Sequence, residues 1–297
     1  MIPLADAIRK GDGRPYALGA VLLWSTSATV VVGVVGWTAP QYLFGAFLFA
    51  SLALNSWSAV RLGPRQAIGA LRQIGVGGLG IGFLGAYAYQ MAFVASLRMA
   101  PAAEANLLNY LWPLCAAAVA VPVHREGPSP SLWAAMAIGL VGVAVRVAGP
   151  TTGDYPLRLA GDALAVGGAI CWGIYTNLLS RLKVSPATAQ RGFAVLAACL
   201  FGLTGLITGS PFGPFEVRSI ALVAYAGIAL LGLAAILWQT GVAQGPVQRI
   251  AVLGYLTPGL STLWLAVAAG QAVSWRTLAG LALILLAALL GQKHGRG

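Results

Sequence analysis

Residues 98–114, RMAPAAEANLLNYLWPL, return at 243–259 as AQGPVQRIAVLGYLTPG. Pro101 aligns with Pro246, Leu108 with Leu253, Tyr110 with Tyr255, Leu111 with Leu256 and Pro113 with Pro258, all at an offset of 145. Each copy places one proline where a helix can begin and a second about three turns on, where it removes a backbone hydrogen bond and crowds the carbonyl four residues back. Inside a bilayer such backbone is tolerated only against protein or a watery cavity. The stretch reads as an interrupted membrane helix that occurs twice.

The rest of the chain fits that reading. With 59% apolar residues, 8% charged residues and a mean hydropathy of +0.82, it lies far from the roughly 25% charged content of soluble domains. At about 20 residues per span, 297 residues hold ten spans and no separate soluble domain. Gly, Pro and charge bound them at 16–36, 39–60, 70–96, 101–122, 131–149, 159–181, 187–209, 218–241, 246–268 and 274–291. Further repeats link the halves: Trp24 pairs with Trp172 at an offset of 148, and Tyr89-Gln90 with Trp238-Gln239 at 149. Five spans per copy force opposite insertion. The expected fold is therefore all-α, with ten transmembrane helices in two inverted five-helix repeats, 1–150 and 151–297. Such halves supply the outward-open and inward-open states of secondary transporters.

Ten spans put both termini on one side. The segments on that side hold most of the 18 Lys and Arg residues, among them Arg9, Lys10, Arg61, Arg65, Lys183, Arg249 and Lys293; the other side holds Arg98, Arg146, Arg158, Arg218 and Arg276. The bias makes both termini cytoplasmic. The net charge of +11 thus reads as a topology signal, and no nucleic-acid partner is expected. The amino-terminal segment lacks a cleavage site, so the first span is expected to be retained.

Chemistry of the enzymatic kind has no candidates. The sequence holds no GxxxxGK[ST], HExxH or GxSxG, and its histidines, His124 and His294, fall in a loop and in the tail. Cys115, Cys171 and Cys199 lie in apolar runs without CxxC spacing and read as packed thiols. No catalytic residue, metal or cofactor is expected. Glu104 and Asp162 fall in first turns and Arg146 near a span end, where each offsets the helix dipole; the rival reading of Glu104 is a proton- or cation-coupling site. Gly78 and Gly82 have the small-xxx-small spacing of close helix packing.

The spans carry neutral hydrogen-bonding groups beside rings instead. The candidate substrate-binding residues are Trp24 and Ser27 in span one, Tyr87 and Gln90 in span three, and Asn106, Asn109 and Tyr110 in span four. Span six adds Trp172, Tyr175 and Thr176; span eight adds Trp238 and Gln239; span nine adds Gln248, Tyr255 and Thr262. Rings stack, and amides and hydroxyls bond an amine or a carboxylate, so this set suits a small zwitterionic or neutral substrate with an apolar part. Trp37, Trp57, Trp133 and Trp275, near span ends, read as the interfacial belt. Pro113 and Pro258 are the candidate gating or kink positions.

NYLWP at 109–113 and GYLTP at 254–258 resemble the drug/metabolite transporter superfamily, specifically its EamA-type ten-helix members. With Tyr89-Gln90 and Asn106, the pattern is most similar to the YddG-type exporters of aromatic amino acids. The resemblance implies a cavity lined by spans one, three, four, six, eight and nine, alternating access and a bacterial inner-membrane location. It also implies export of aromatic and other neutral amino acids. No acidic residue matches the mid-membrane glutamate of the superfamily's four-helix members, so facilitated diffusion is the expected mode, with a monomer sufficient in the lipid bilayer. The alternatives are proton-coupled efflux of drugs or metabolites and, in a different class, a membrane enzyme or scaffold.

Overall fold

The computed structural model describes residues 13–124, 155–179, 182–210, 212–244 and 256–269, with isolated positions between 130 and 141, at 253–254 and between 275 and 286. Every regular element among the described residues is helical. Six stretches are long and apolar enough to cross a bilayer: Arg14–Gly33, Ala39–Leu62, Gly75–Met99, Pro156–Leu179, Pro186–Ile207 and Val217–Gly241. They correspond to expected spans one, two, three, six, seven and eight. Expected spans five and ten, and the start of span nine, lie largely outside the described residues.

The first half comprises α1 (Arg14–Ser25), α2 (Ser27–Gly33), α3 (Ala39–Leu62), α4 (Pro64–Arg72), α5 (Gly75–Gly82), α6 (Tyr89–Met99), α7 (Ala102–Asn109) and α8 (Trp112–His124). The second comprises α9 (Tyr155–Leu179), α10 (Pro186–Ile207), α11 (Val217–Tyr225), α12 (Ala234–Gln244) and α13 (Leu256–Ala269). Local chemistry sets several ends. Thr38 and Gln41 form a capping box that starts α3, and Gly63 at φ +80° ends it. Ser185 caps α10 through the Thr188 N–H, with Pro186 in the first turn.

Three spans depart from the sequence reading. Span four, expected as one helix through 101–122, is broken into α7 and α8. Pro113 has no N–H to give the carbonyl of Asn109. The chain instead tightens, with Tyr110 N–H donating to Leu107 O and Leu111 N–H to Leu108 O, both at 3.1 Å. It restarts at Trp112, which places Pro113 in a first turn, where a missing N–H costs nothing. Span one breaks at Thr26, whose hydroxyl donates to Leu23 O at 2.8 Å and competes with the helical ladder. Span three begins at Gly75 rather than at 70; the left-handed φ of +64° there turns the chain out of α4.

Two π-helical segments interrupt the third and sixth of these long helices, Phe83–Ala88 between α5 and α6 and Ala226–Leu233 between α11 and α12. They occupy spans three and eight, corresponding spans of the two copies. A π turn shifts the backbone ladder and leaves carbonyls to be satisfied by other donors. Gln190 Nε2 donates to Leu231 O at 2.7 Å and Trp24 Nε1 to Leu230 O at 3.0 Å. Gln190→Met, which keeps the shape and removes the donor, is expected to cost about 1–2 kcal/mol; thermal unfolding in detergent measures it.

Packing between the halves is reciprocal. α10 lies along α3, α9 along α6 and α8, α1 along α12, and α3 against the π segment of span eight. Phe47 of α3 stacks on Phe201 of α10 at 5.8 Å. On α9, Gly161, Ala165, Ala169 and Gly173 recur every four residues and are buried. A Cβ at Gly161 would stand 2.8 Å from Ala100 N, and one at Gly173 2.8 Å from Ala116 N. This side-chain-free stripe is what lets the backbones approach. Gly78 and Gly82, the spacing noted in the sequence, are also buried, against Ile74 and Phe193.

Two further expectations are corrected. Trp37 is not a free belt residue: its Nε1 donates to Pro214 O at 3.1 Å, and its ring closes over Gly213. Trp57 and Trp275 are exposed, as a belt requires, and Trp133 lies outside the described residues. Cys115 and Cys171 are partly buried, but Cys199 is exposed; it lines an apolar groove of about 380 Å³ with Phe44, Leu203 and Phe212.

Candidate substrate site

The break in span four and the two π segments bring rings from both halves together. Trp24 on α1 meets Trp172 on α9 edge-on at 6.4 Å and Trp238 on α12 at 5.6 Å. Trp112, the first residue of α8, lies edge-on to both Trp172 and Trp238, at 6.4 and 6.5 Å. Tyr89 sits 4.6 Å from Trp172, and Tyr175 completes the chain at 5.0 Å on the other side of that ring. Trp24, Tyr89, Trp112, Trp172 and Trp238 are all half-buried. In each edge-on pair the edge of one ring meets the face of the other, and the half-buried rings together form a continuous aromatic cluster.

Amides surround the rings. Asn109 Nδ2 donates to Tyr89 Oη at 3.3 Å, and Asn106 Nδ2 donates to Ser261 Oγ on α13 at 2.9 Å. Their carbonyl oxygens, and Gln239 Oε1, are buried without a hydrogen-bond donor among the described residues. Gln90 and Ser27 are half-buried, and Tyr110 is buried. The Thr176 hydroxyl donates to Trp172 O at 2.8 Å within its own helix and is not available as a donor.

Tyr87 faces elsewhere. The π segment changes the angular spacing between residues 87 and 90 from that of an α-helix, and Tyr87 stacks on Phe83 at 5.2 Å, lies 4.5 Å from Phe201 and bonds Thr204 Oγ1 at 2.8 Å. Gln248 and Tyr255 lie outside the described residues, as does the side chain of Thr262. The candidate gate Pro113 begins α8 instead of kinking a continuous helix, and Pro258 falls in the first turn of α13.

Tyr89 and Trp112 were absent from the sequence-derived set. Tyr89 had a signal, because the repeat places it where Trp238 stands in the second copy. Trp112 had only its place in NYLWP.

The first turn of α7 and the first two turns of α9 share an ion cluster. Arg158 Nε lies 3.2 Å from Glu104 Oε2 and 3.9 Å from Asp162 Oδ2, with Arg158 and Asp162 both buried. The sequence reads Glu104 and Asp162 as offsetting helix dipoles, with a coupling site as the rival for Glu104, and Arg158 as a loop residue; the structure joins all three across the two halves. No group of three or more His, Cys, Asp or Glu among the described residues can hold a metal.

The model of the EamA-like transporter family matches residues 13–147 and 159–291. A protein of Ancylobacter novellus named aromatic amino acid exporter YddG is 31% identical over 89% of this chain and 91% of its own length. Proteins of the same name from Salmonella typhimurium and Escherichia coli are each 26% identical, covering 92% and 84% of this chain and 94% and 85% of their own. One solved crystal structure, 27% identical, superposes with a TM-score of 0.67 over 94% of this chain and 95% of its own.

Proposed function

The chain belongs to the EamA-like transporter family, and from that premise we propose that it exports aromatic and other neutral amino acids across the bacterial inner membrane. The carrying observation is the cluster of Trp24, Trp112, Trp172 and Trp238, assembled from both halves and joined through Tyr89 to the amide of Asn109. An indole or phenyl ring lies on the tryptophans while neutral hydrogen-bonding groups meet the amino and carboxylate groups. The relatives named as exporters of aromatic amino acids support the same substrate class.

In this reading ten helices form two inverted repeats, 1–150 and 151–297, with both termini cytoplasmic. A single chain carries substrate by rocking the halves about their seam, and downhill export needs no coupling ion. The reciprocal packing of α3 with α10, and of spans three and eight with the opposite half, supports a two-fold relation of this kind. Proton-coupled efflux loses its leading candidate, because Glu104 is engaged by Arg158.

Counterflow of labelled L-tryptophan or L-phenylalanine into liposomes carrying the purified protein tests the function. Trp172→Ala and Gln90→Ala are expected to lower the initial rate about tenfold or more and to leave folded protein in the membrane. Normal flux in both variants would dismiss the site, and no saturable flux by the unaltered protein would dismiss the function.

A further inference from the structure

The amino-acid reading leaves open which group of this chain receives the substrate's amine, and the break in span four supplies an answer. α7 ends at Asn109, so the partial negative charge of that helix end falls at the break. Broken membrane helices use such ends to hold cations. Asn109 is 4% exposed, and its Oδ1 has no hydrogen-bond donor among the described residues. A buried acceptor without a donor is a cost that an arriving donor relieves.

The acceptor adjoins the ring cluster. The Cβ position of Gly168 on α9 lies 3.7 Å from Asn109 Oδ1 and 3.6 Å from the Tyr89 ring, and the Tyr89 ring is 4.6 Å from Trp172. Gly168 has no side chain to cover the oxygen. Its backbone nevertheless has room for one, since the nearest neighbour of that Cβ position is Ala92 Cβ at 3.5 Å.

We propose that the end of α7 is the amine subsite of the carrier, with Asn109 Oδ1 accepting from the substrate's α-ammonium group while its aromatic ring lies against Tyr89 and Trp172. The proposal rests on the amino-acid reading and adds a selectivity to it. Ligands with an ammonium group and an aromatic ring are preferred over those with the ring alone. The Nδ2 of Asn109, given to Tyr89 Oη, fixes the amide so that the oxygen is the free end.

The test is competition against labelled L-phenylalanine in proteoliposome counterflow, with phenethylamine and 3-phenylpropionate as competitors. Unaltered protein is expected to take phenethylamine at least tenfold more tightly than 3-phenylpropionate. Asn109→Leu, which removes the acceptor at similar volume, and Gly168→Ala, which sets a methyl beside it, are each expected to weaken phenylalanine and phenethylamine about tenfold, as for one lost hydrogen bond to a charged group. The affinity for 3-phenylpropionate should stay within about twofold. Equal weakening of all three ligands in the variants, or no change in any, overturns the amine subsite while leaving amino-acid transport standing. Absence of counterflow by the unaltered protein overturns both.

Discussion

Arg158→Met is expected to lower stability by about 3–5 kcal/mol, the cost of leaving buried charge without its partner. The guanidinium lies between Glu104 of α7 and Asp162 of α9 and is 5% exposed. Removing it withdraws the cation from one buried and one partly buried carboxylate at a contact between the halves, where little water can replace it. Thermal unfolding in detergent, followed by tryptophan emission, reads the loss directly. Arg158→Lys keeps the charge but not the planar fork and is expected to fall between the two. Replacing Arg158, Glu104 and Asp162 together by Met, Gln and Asn should recover much of the loss, since removing a whole buried ion cluster is far cheaper than breaking it. An Arg158→Met protein that unfolds at the temperature of the unaltered one would show that the cluster contributes nothing.

Gly227→Ala is expected to be nearly as damaging, about 3 kcal/mol. Gly227 lies in the π segment of span eight, and a Cβ there would overlap the carbonyl oxygen of Ala46 on α3, with Phe49 Cβ at 2.9 Å. The obstruction is backbone, which has no rotamer by which to yield, so α3 and span eight must separate. That separation would also move Leu230 and Leu231, whose carbonyls hold Trp24 and Gln190. Transport should therefore fall together with stability. For stability alone, Gly168→Ala is the matched control, because the Cβ added there meets only ordinary contacts of 3.5 Å and beyond. Equal unfolding temperatures for the two glycine variants would refute the close approach at Gly227.

Several parts of this molecule were legible in the linear chain. Apolar runs bounded by glycine, proline and charge located the six described long helices to within a few residues, because a bilayer demands about 20 apolar residues whatever the neighbours do. The repeat paired Trp24 with Trp172 and Tyr89 with Trp238, and the structure brings these four rings into one chain of contacts. Asn106 and Asn109 were recognisable as amides in an apolar span, and both are buried.

Other features were hidden for definite reasons. The break of span four precedes Pro113 because the proline deprives Asn109 of a donor; sequence locates the defect but not whether the helix bends or stops. The π segments have no residue signature, and they rotated Tyr87 away from Gln90 onto Phe201 and Thr204. Gln190 and Arg191, separated along the chain from everything they bond, hold Leu231 O, Asn55 Oδ1 and Ala67 O.

Composition, spacing and the repeated proline pairs by themselves pointed to a membrane-embedded helical chain with a duplicated plan and with neutral hydrogen-bonding groups beside rings in its spans, since these follow from the solvent the chain must satisfy and from local backbone geometry. Only the tertiary structure decided that four tryptophans share one cluster, that Glu104, Arg158 and Asp162 form one ion cluster, and that Asn109 keeps a buried oxygen without a donor. Those outcomes depend on how closely the helices approach, which the small residues at 161, 173 and 227 permit but do not announce, because a glycine shows what it makes room for only when its neighbour is in place.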